Sequence, residues 1–179
     1  RGYSIASLNT GYCRTPDIFD GYRRAASKAG REAPKERFGY LAIVGVGDTA
    51  EEGKRRADQI LDYSRTTPRA ASQFWFPPGY TSNEITAEML HNRGPNMIQL
   101  RDGGEFRMQY GTVDEFINAG VAFAGTPDMV FDQIKEFHDH VGGLGQLLMM
   151  GQGGHISHED TVANLKLFSK EVLPRLEEL

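Results

Sequence analysis

The sequence predicts an α/β protein built on a parallel sheet, and three observations carry that prediction. A strand followed by a capped helix recurs along the chain. One of the strands, Phe38–Val46 (FGYLAIVGV), is an almost unbroken apolar run, as expected where both faces are covered. Two helix starts share one grammar: Thr15-Pro16-Asp17 and Thr126-Pro127-Asp128 each offer an N-cap, a proline at the first helical position and an early acid. Strand–helix units of this kind imply parallel strands joined by helical crossovers.

Taken in order, Tyr3–Leu8 (YSIASL) is short, apolar and β-favouring, and Asn9-Thr10-Gly11 reads as a turn. After Pro16, Ile18, Phe19, Tyr22, Ala25, Ala26 and Ala29 recur with helical spacing, and Gly30 suits the residue just past the helix end. After Phe38–Val46, Gly47-Asp48 turns the chain. Thr49 and Glu52 form a capping box for a helix from Ala50 to about Ser64, whose Glu51, Lys54, Arg55, Arg56 and Asp58 read as a solvated face. Residues 65–120 break the alternation. Turn signals at Thr66-Thr67-Pro68, Pro77-Pro78-Gly79 and Asp102-Gly103-Gly104 separate short helices near Ser82–Asn92 and Thr112–Ala119. The aromatic cluster Gln73-Phe-Trp-Phe76 sits here as a packing plug or a ligand wall. Val121–Gly125 is then a short strand, and Val130, Phe131, Ile134 and Phe137 stripe the following helix. Gln146–Met150 is the last strand, and Ser157 caps a final helix with inner face Val162, Leu165, Phe168, Val172 and Leu176.

Composition narrows the function classes. The 179 residues carry a net charge of −4 with 39% hydrophobic and 25% charged residues, which is ordinary for a soluble domain. No basic block points to nucleic acid, and no apolar run approaches the ~20 residues of a membrane span. The lone Cys13 cannot form an intrachain disulfide, which fits a cytoplasmic location, and it reads as incidental. The chain opens at Arg1 and enters a strand at once. It therefore reads as a fragment whose missing part lies N-terminal, a protease-trimmed expression tag being the alternative. A (β/α)8 barrel needs eight units over about 250 residues. If these units belong to one, they are its last three.

The stretch LLMMGQGGHISHEDT (Leu147–Thr161) is the main site candidate. A phosphate loop of the GxxxxGK[ST] type needs a lysine that is absent. A GxGxxG fingerprint fails because Ile156 occupies its third glycine position. The amides opening the helix at Ser157 could still hold an anion. A metal reading of His155 and His158 lacks a completing ligand set, and His138 and His140 read as a solvated, dipole-favoured helix end, with His91 unpartnered. The third reading makes the stretch a loop at the carboxyl end of a barrel strand. There Gln152, Gly153 and Gly154 line a flat ligand, with Asn9 and Thr10 after the first strand and Gly47 and Asp48 after the second; a plain tight turn is the alternative.

Three segments resemble the bacterial luciferase-like monooxygenase family. They are GTPDMVFDQIKEFHD with its Gly125-Thr126-Pro127 start, the closing LFSKEVLPRL (Leu167–Leu176), and YLAIVGVGDTAEEGKRRA (Tyr40–Ala57). The resemblance implies the C-terminal portion of a (β/α)8 TIM-type barrel, about the last three strand–helix units plus a helical insertion. Residues 1–179 would form one incomplete barrel domain, with two βα units in 1–64, an insertion over 65–120 and a helix–strand–helix end in 121–179. It implies reduced FMN with O2 acting on an organic substrate, or hydride transfer with F420, with Gln152, Gly153, Gly154, Asn9 and Thr10 toward the flavin and Phe74–Phe76 as lid or substrate wall. No catalytic residue carries over, because the family's early strands are not in this chain, and no metal is implied. The segment alone is expected to be inactive and to need either a missing N-terminal half or self-association, since it would expose strand edges and an apolar sheet face. A non-catalytic partial-barrel assembly module is the other class of reading.

Overall fold

In the computed structural model, which describes residues 2–66, 82–85, 87 and 97–179, the predicted strand Phe38–Val46 is the axis of the fold, β2. Every residue of it but Leu41 is buried. The four-residue β1 (Ile5–Leu8) pairs in parallel with its first half, Leu8 reaching Leu41. The four-residue β5 (Ala122–Gly125) pairs in parallel with its second half, from Ile43–Ala122 to Val46–Gly125. Parallel β6 (Gln146–Met150) takes the opposite edge, from Gly39–Gln146 to Ile43–Met150. The α/β class with a parallel sheet is as the sequence predicts. A chain-ordered arc would run β1-β2-β5-β6, whereas here β6 lies directly on β2. Strand length accounts for this: β1 and β5, end to end, fill one edge of the nine-residue β2, and β6 satisfies the ladder groups of the other.

Helices cover both faces. Tyr40, Ala42, Val44 and Val46 pack with Phe19 of α1 (Gly11–Lys28) and with Val130, Ile134 and Phe137 of α4 (Pro127–His140). Ile43, Ala122 and Ala124 on the other face meet Ala57, Ile60 and Leu61 of α2 (Ala50–Thr66) and Phe116 of α3 (Val113–Asn118). The strand order demands this. Steps β1→β2 and β5→β6 run one way across the sheet and β2→β5 runs back, so connections of a single hand fall on opposite faces. A Cβ at Gly53 would collide with the Gly125 backbone, so this glycine sets how closely α2 approaches β5.

Helix α1 begins at Gly11 with Thr10 at its N-cap, not at Pro16. Thr15 is instead a buried helical residue whose Oγ1 donates to the Gly11 carbonyl at 2.6 Å. Pro16 lies inside the helix, and its missing N–H leaves the Tyr12 carbonyl without its usual donor. His140 Nε2 fills that place, donating to the Tyr12 carbonyl at 3.0 Å, and its ring packs edge-on against Tyr12 at 5.2 Å. His138 is only 15% exposed. The expected solvated His138/His140 end is thus corrected at His138, which is largely covered; His140 remains exposed as expected while also serving the Tyr12 carbonyl. Tyr40, fully buried, donates to the Gly120 carbonyl at 2.8 Å and accepts from the Gly11 N–H, and burial pushes its hydroxyl pKa up.

The middle of the chain holds an antiparallel hairpin that sequence reading left unplaced, β3 (Met97–Gln99) and β4 (Glu105–Arg107), turning through Asp102-Gly103-Gly104. Its buried Ile98 and Phe106 join the α2-side core. Thr112 and Glu115 form a full capping box on α3. Residues 83–85 are helical within the predicted Ser82–Asn92 element. Most of that element, Thr67-Pro68, the Phe74–Phe76 cluster, Pro77-Pro78-Gly79 and His91 lie outside the described residues. The C-terminal helix α5 (His158–Leu167) continues through a π-helical turn, Phe168–Val172, into α6 (Leu173–Leu176).

Candidate functional site

Strand β6 stops opposite Ile43, so on that edge the end of β2 has no strand partner. Asn164 of α5, fully buried, takes the partner's role. Its Oδ1 accepts from the Val46 N–H at 2.7 Å, and its Nδ2 donates to the Val44 carbonyl at 2.9 Å and the Gly151 carbonyl at 3.3 Å. The inner face of α5 is therefore Thr161 and Asn164, continued by Phe168 and Val172 of the π-helical turn. The expected Leu165 is 45% exposed, because the first turns of the helix cover polar ladder ends.

Arg56 corrects the solvated-face reading of α2. It is 5% exposed, with Nη1 donating to the Val46 carbonyl at 2.6 Å, Nη2 to Glu52 at 2.7 Å and Nε to Asp160 at 3.1 Å. Arg55 adds a bidentate contact to Asp160 at 2.8 and 3.0 Å. Hydrogen bonding from Arg55, against the effect of burial and with Arg56 assisting, holds the Asp160 carboxyl well below the usual carboxylate range. Ser157 Oγ accepts from the Asp160 N–H at 3.0 Å, so this helix start is capped from within and carries Glu159 and Asp160 in its first turn. Two spans thus meet at the carboxyl end of β2 through buried polar side chains, α2 through Arg56 and α5 through Asn164.

The loop from Gly151 is held at both ends. Gly151 is tied to Asn164. The His155 N–H donates to the Gln59 carbonyl at 3.0 Å, and its Nδ1 lies 3.2 Å from Asp62. Burial pushes the Asp62 carboxyl up, but hydrogen bonds from Arg65 and His155 outweigh it and keep it low. Gly154 (φ +54°) backs directly onto α2, where a Cβ would strike the Gln59 carbonyl oxygen. Between these anchors Gln152 is exposed. It borders a groove of about 520 Å³ whose other lining residues include Leu41, Leu148, Met150 and Leu165. Among the described residues no protein group hydrogen-bonds its amide. Asn9 (φ 55°) and Thr10 lie at the end of β1, on the other edge of β2 and so at least two interstrand spacings, ~10 Å, away. Thr10 Oγ1 pairs with Thr15 Oγ1 at 2.8 Å. At the second strand the Glu52 carboxylate accepts from the Asp48 N–H at 3.0 Å, not from that of Thr49, while Thr49 accepts from Glu52 N–H. Among the described residues no three His, Cys, Asp or Glu side chains converge as a metal set, and no helix is long and apolar enough to cross a membrane.

The family model described as luciferase-like monooxygenase matches residues 14–142. The chain belongs to the luciferase-like monooxygenase family. The matched span includes β2, α2, β5 and the Gly125-Thr126-Pro127 helix start; the loop at Gly151 lies beyond it. Among solved structures, three oxidoreductases share the fold. Monooxygenase RslO1 from Streptomyces bottropensis is 15% identical with a TM-score of 0.62, over 98% of this chain and 42% of that one. The oxygenating constituent of 3,6-diketocamphane monooxygenase from Pseudomonas putida, solved with FMN, is 22% identical with a TM-score of 0.60, over 94% of this chain and 42% of that one. The coenzyme F420 dependent tetrahydromethanopterin reductase of Methanopyrus kandleri is 14% identical with a TM-score of 0.52, over 96% of this chain and 45% of that one. The chain thus spans under half the length of these enzymes. No curated protein matches it by sequence.

Proposed function

We propose that this chain is the C-terminal part of a cytoplasmic flavin-dependent monooxygenase, one incomplete barrel domain with 65–120 as its insertion, which acts on a small organic substrate with reduced FMN and O2. The observation that carries the reading is the family match over residues 14–142. The chain's own contribution is the groove beside Gln152. Leu41, Leu148 and Met150 offer an apolar wall for a flat ring, and the Gln152 amide, one acceptor and two donors, suits a polar ring edge. Bound there, a reduced flavin would supply the electrons that activate O2. The protein would orient the ring and exclude water, with Gly153 and Gly154 set close against Ile60 and Gln59 of α2 and Gln152 exposed beside the groove. Asn9 and Thr10, across β2, are proposed to contact the cofactor's far side or the substrate. The N-terminal half of a longer chain, or a second copy, would supply the remaining wall, and the segment alone would be inactive.

The test is equilibrium binding of reduced FMN and reduced F420 to the protein that contains this chain, with Gln152→Ala beside the wild type. FMN binding that weakens by roughly tenfold in Gln152→Ala supports the assignment, since a lost hydrogen bond to a ligand is worth about a factor of ten. Preference for F420 would replace oxygenation with hydride transfer. Binding of neither would leave the assembly module as the better reading.

A further inference from the structure

The stretch 21–37 runs against the charge of the rest of the chain. It holds six Lys and Arg residues and two Glu, in a chain whose net charge is −4. Arg24 and Lys28 lie one turn apart on the second half of α1, and Arg31 follows its end. Lys35 and Arg37 bound a 3₁₀ turn that leads into β2. All five are exposed. Among the described residues none of the five has an acidic partner, whereas Arg55, Arg56, Arg65, Arg101 and Arg175 each have one. Lys35 donates to the Leu179 carbonyl at 2.8 Å and Arg37 to the Gly2 carbonyl at 2.7 Å, and neutral acceptors leave both charges uncompensated. Tyr22 of α1 donates to the Tyr3 carbonyl, so Gly2-Tyr3 is tied to both the turn and the helix, with Tyr3 67% exposed. The helix dipole favours a cation in the last turn of α1, but that accounts for Lys28 alone.

A phosphate backbone or an anionic bilayer is negative throughout and would repel the exposed Glu32 and Glu36 that interrupt these cations. A protein surface can answer the cations with carboxylates and the two glutamates with its own Lys or Arg. Arg and Tyr are also the side chains on which protein contacts concentrate their binding energy. We propose that this surface docks the acidic face of a partner protein. It precedes the amino end of β2, whereas Gln152 follows the carboxyl end of the parallel β6, so a flavin beside Gln152 has no bearing on it.

The probe is a dye-labelled peptide of repeated Glu-Glu-Lys units, acidic overall with interleaved cations. It is titrated into the protein that contains this chain and followed by fluorescence anisotropy. The expected result is saturable binding that weakens roughly tenfold or more between about 50 and 200 mM salt. Arg24→Glu, Lys28→Glu and Arg31→Glu together should weaken it by at least roughly tenfold, and because all three side chains are exposed the fold should not depend on them. Reversing three exposed cations elsewhere, Arg14→Glu, Arg107→Glu and Lys166→Glu, should change it by less than about threefold, which separates the surface from net charge. A peptide that does not bind, or equal losses in the two variants, would overturn the proposal. So would tighter binding of duplex DNA, or of vesicles of phosphatidylserine and phosphatidylcholine, than of the peptide, since either would assign the surface to a uniformly anionic partner.

Discussion

At the scale of single residues, the carboxyl end of β2 depends on two side chains, Asn164 and Arg56, that take the place of backbone partners. Asn164 stands in for the strand residue that β6 does not provide, and Asn164→Leu would leave the Val46 N–H and Val44 carbonyl buried without partners. Each such loss costs about 1–3 kcal/mol. Amide exchange at Val46 should therefore accelerate sharply, and an unchanged rate would show that the Asn164 contact does not protect it. Asp160 ties Arg55 and Arg56 together, and its carboxyl is held below the usual range mainly by the Arg55 hydrogen bond. A carboxylate with a depressed folded-state pKa stabilises above the unfolded value of about 3.9, and the benefit drains away as pH falls through the folded value. Asp160→Asn should thus cost about 1–2 kcal/mol at pH 7, discounted for partial exposure, and progressively less below pH ~4. Urea unfolding of both proteins at pH 7 and pH 3 measures the difference; a pH-independent gap would contradict it. Gly154, with φ +54° and the Gln59 carbonyl behind it, should tolerate no side chain. Gly154→Ala is expected to lose at least about 1 kcal/mol in the same assay from its left-handed backbone alone.

Among elements, what could be read from sequence divides along a physical line. Strand β2 and the helix start at Thr126-Pro127-Asp128 were legible because an apolar run and a cap are local signals. The start of α1 was not. Thr15-Pro16-Asp17 has the same local signal, yet the helix extends back to Gly11 because tertiary partners offset the proline: His140, distant in sequence, serves the Tyr12 carbonyl. Arg56 and Asn164 were missed for the same reason, since a polar residue on a helix looks solvated until the open end of a strand is placed beside it. Of the candidate site, Gln152 was legible as an exposed amide in a glycine loop. The role of Gly154 as a contact with α2 was not, because nothing in GQGGH announces which helix it meets. The compensation at α1 can be tested by a double-mutant cycle. His140→Ala should cost about 1 kcal/mol in the wild type and markedly less in Pro16→Ala, where the restored N–H serves the Tyr12 carbonyl. Additive costs would mean that His140 does not compensate for Pro16.

At the scale of the whole molecule, the two sheet faces are unequally covered. Helices α1 and α4 with the C-terminal helices close one face, while α2 and α3 reach only the half of the other that carries Ile43, Ala122 and Ala124. On the remaining half Leu8 is 56% and Leu148 42% exposed, with Leu41 between them in register. Burying such side chains gains ~25 cal/mol per Å² of apolar surface, and soluble proteins keep contiguous patches of this kind small unless something binds there. Strand β6, which reads QLLMM, adds to the tendency, having no charge or proline to discourage pairing along its edge. The 19.9 kDa chain by itself should therefore associate in a concentration-dependent way. Leu148→Lys, which places a charge on the uncovered face without touching either core, should shift it toward monomer. Multi-angle light scattering across a dilution series separates the outcomes. A wild-type chain that stays monomeric at high concentration would mean that this apolar half-face is tolerated in solvent, and would remove the physical reason for requiring a covering half or a second copy. Association that Leu148→Lys leaves unchanged would place the contact elsewhere, with Tyr3 and Tyr110, 67% and 73% exposed, the next residues to substitute.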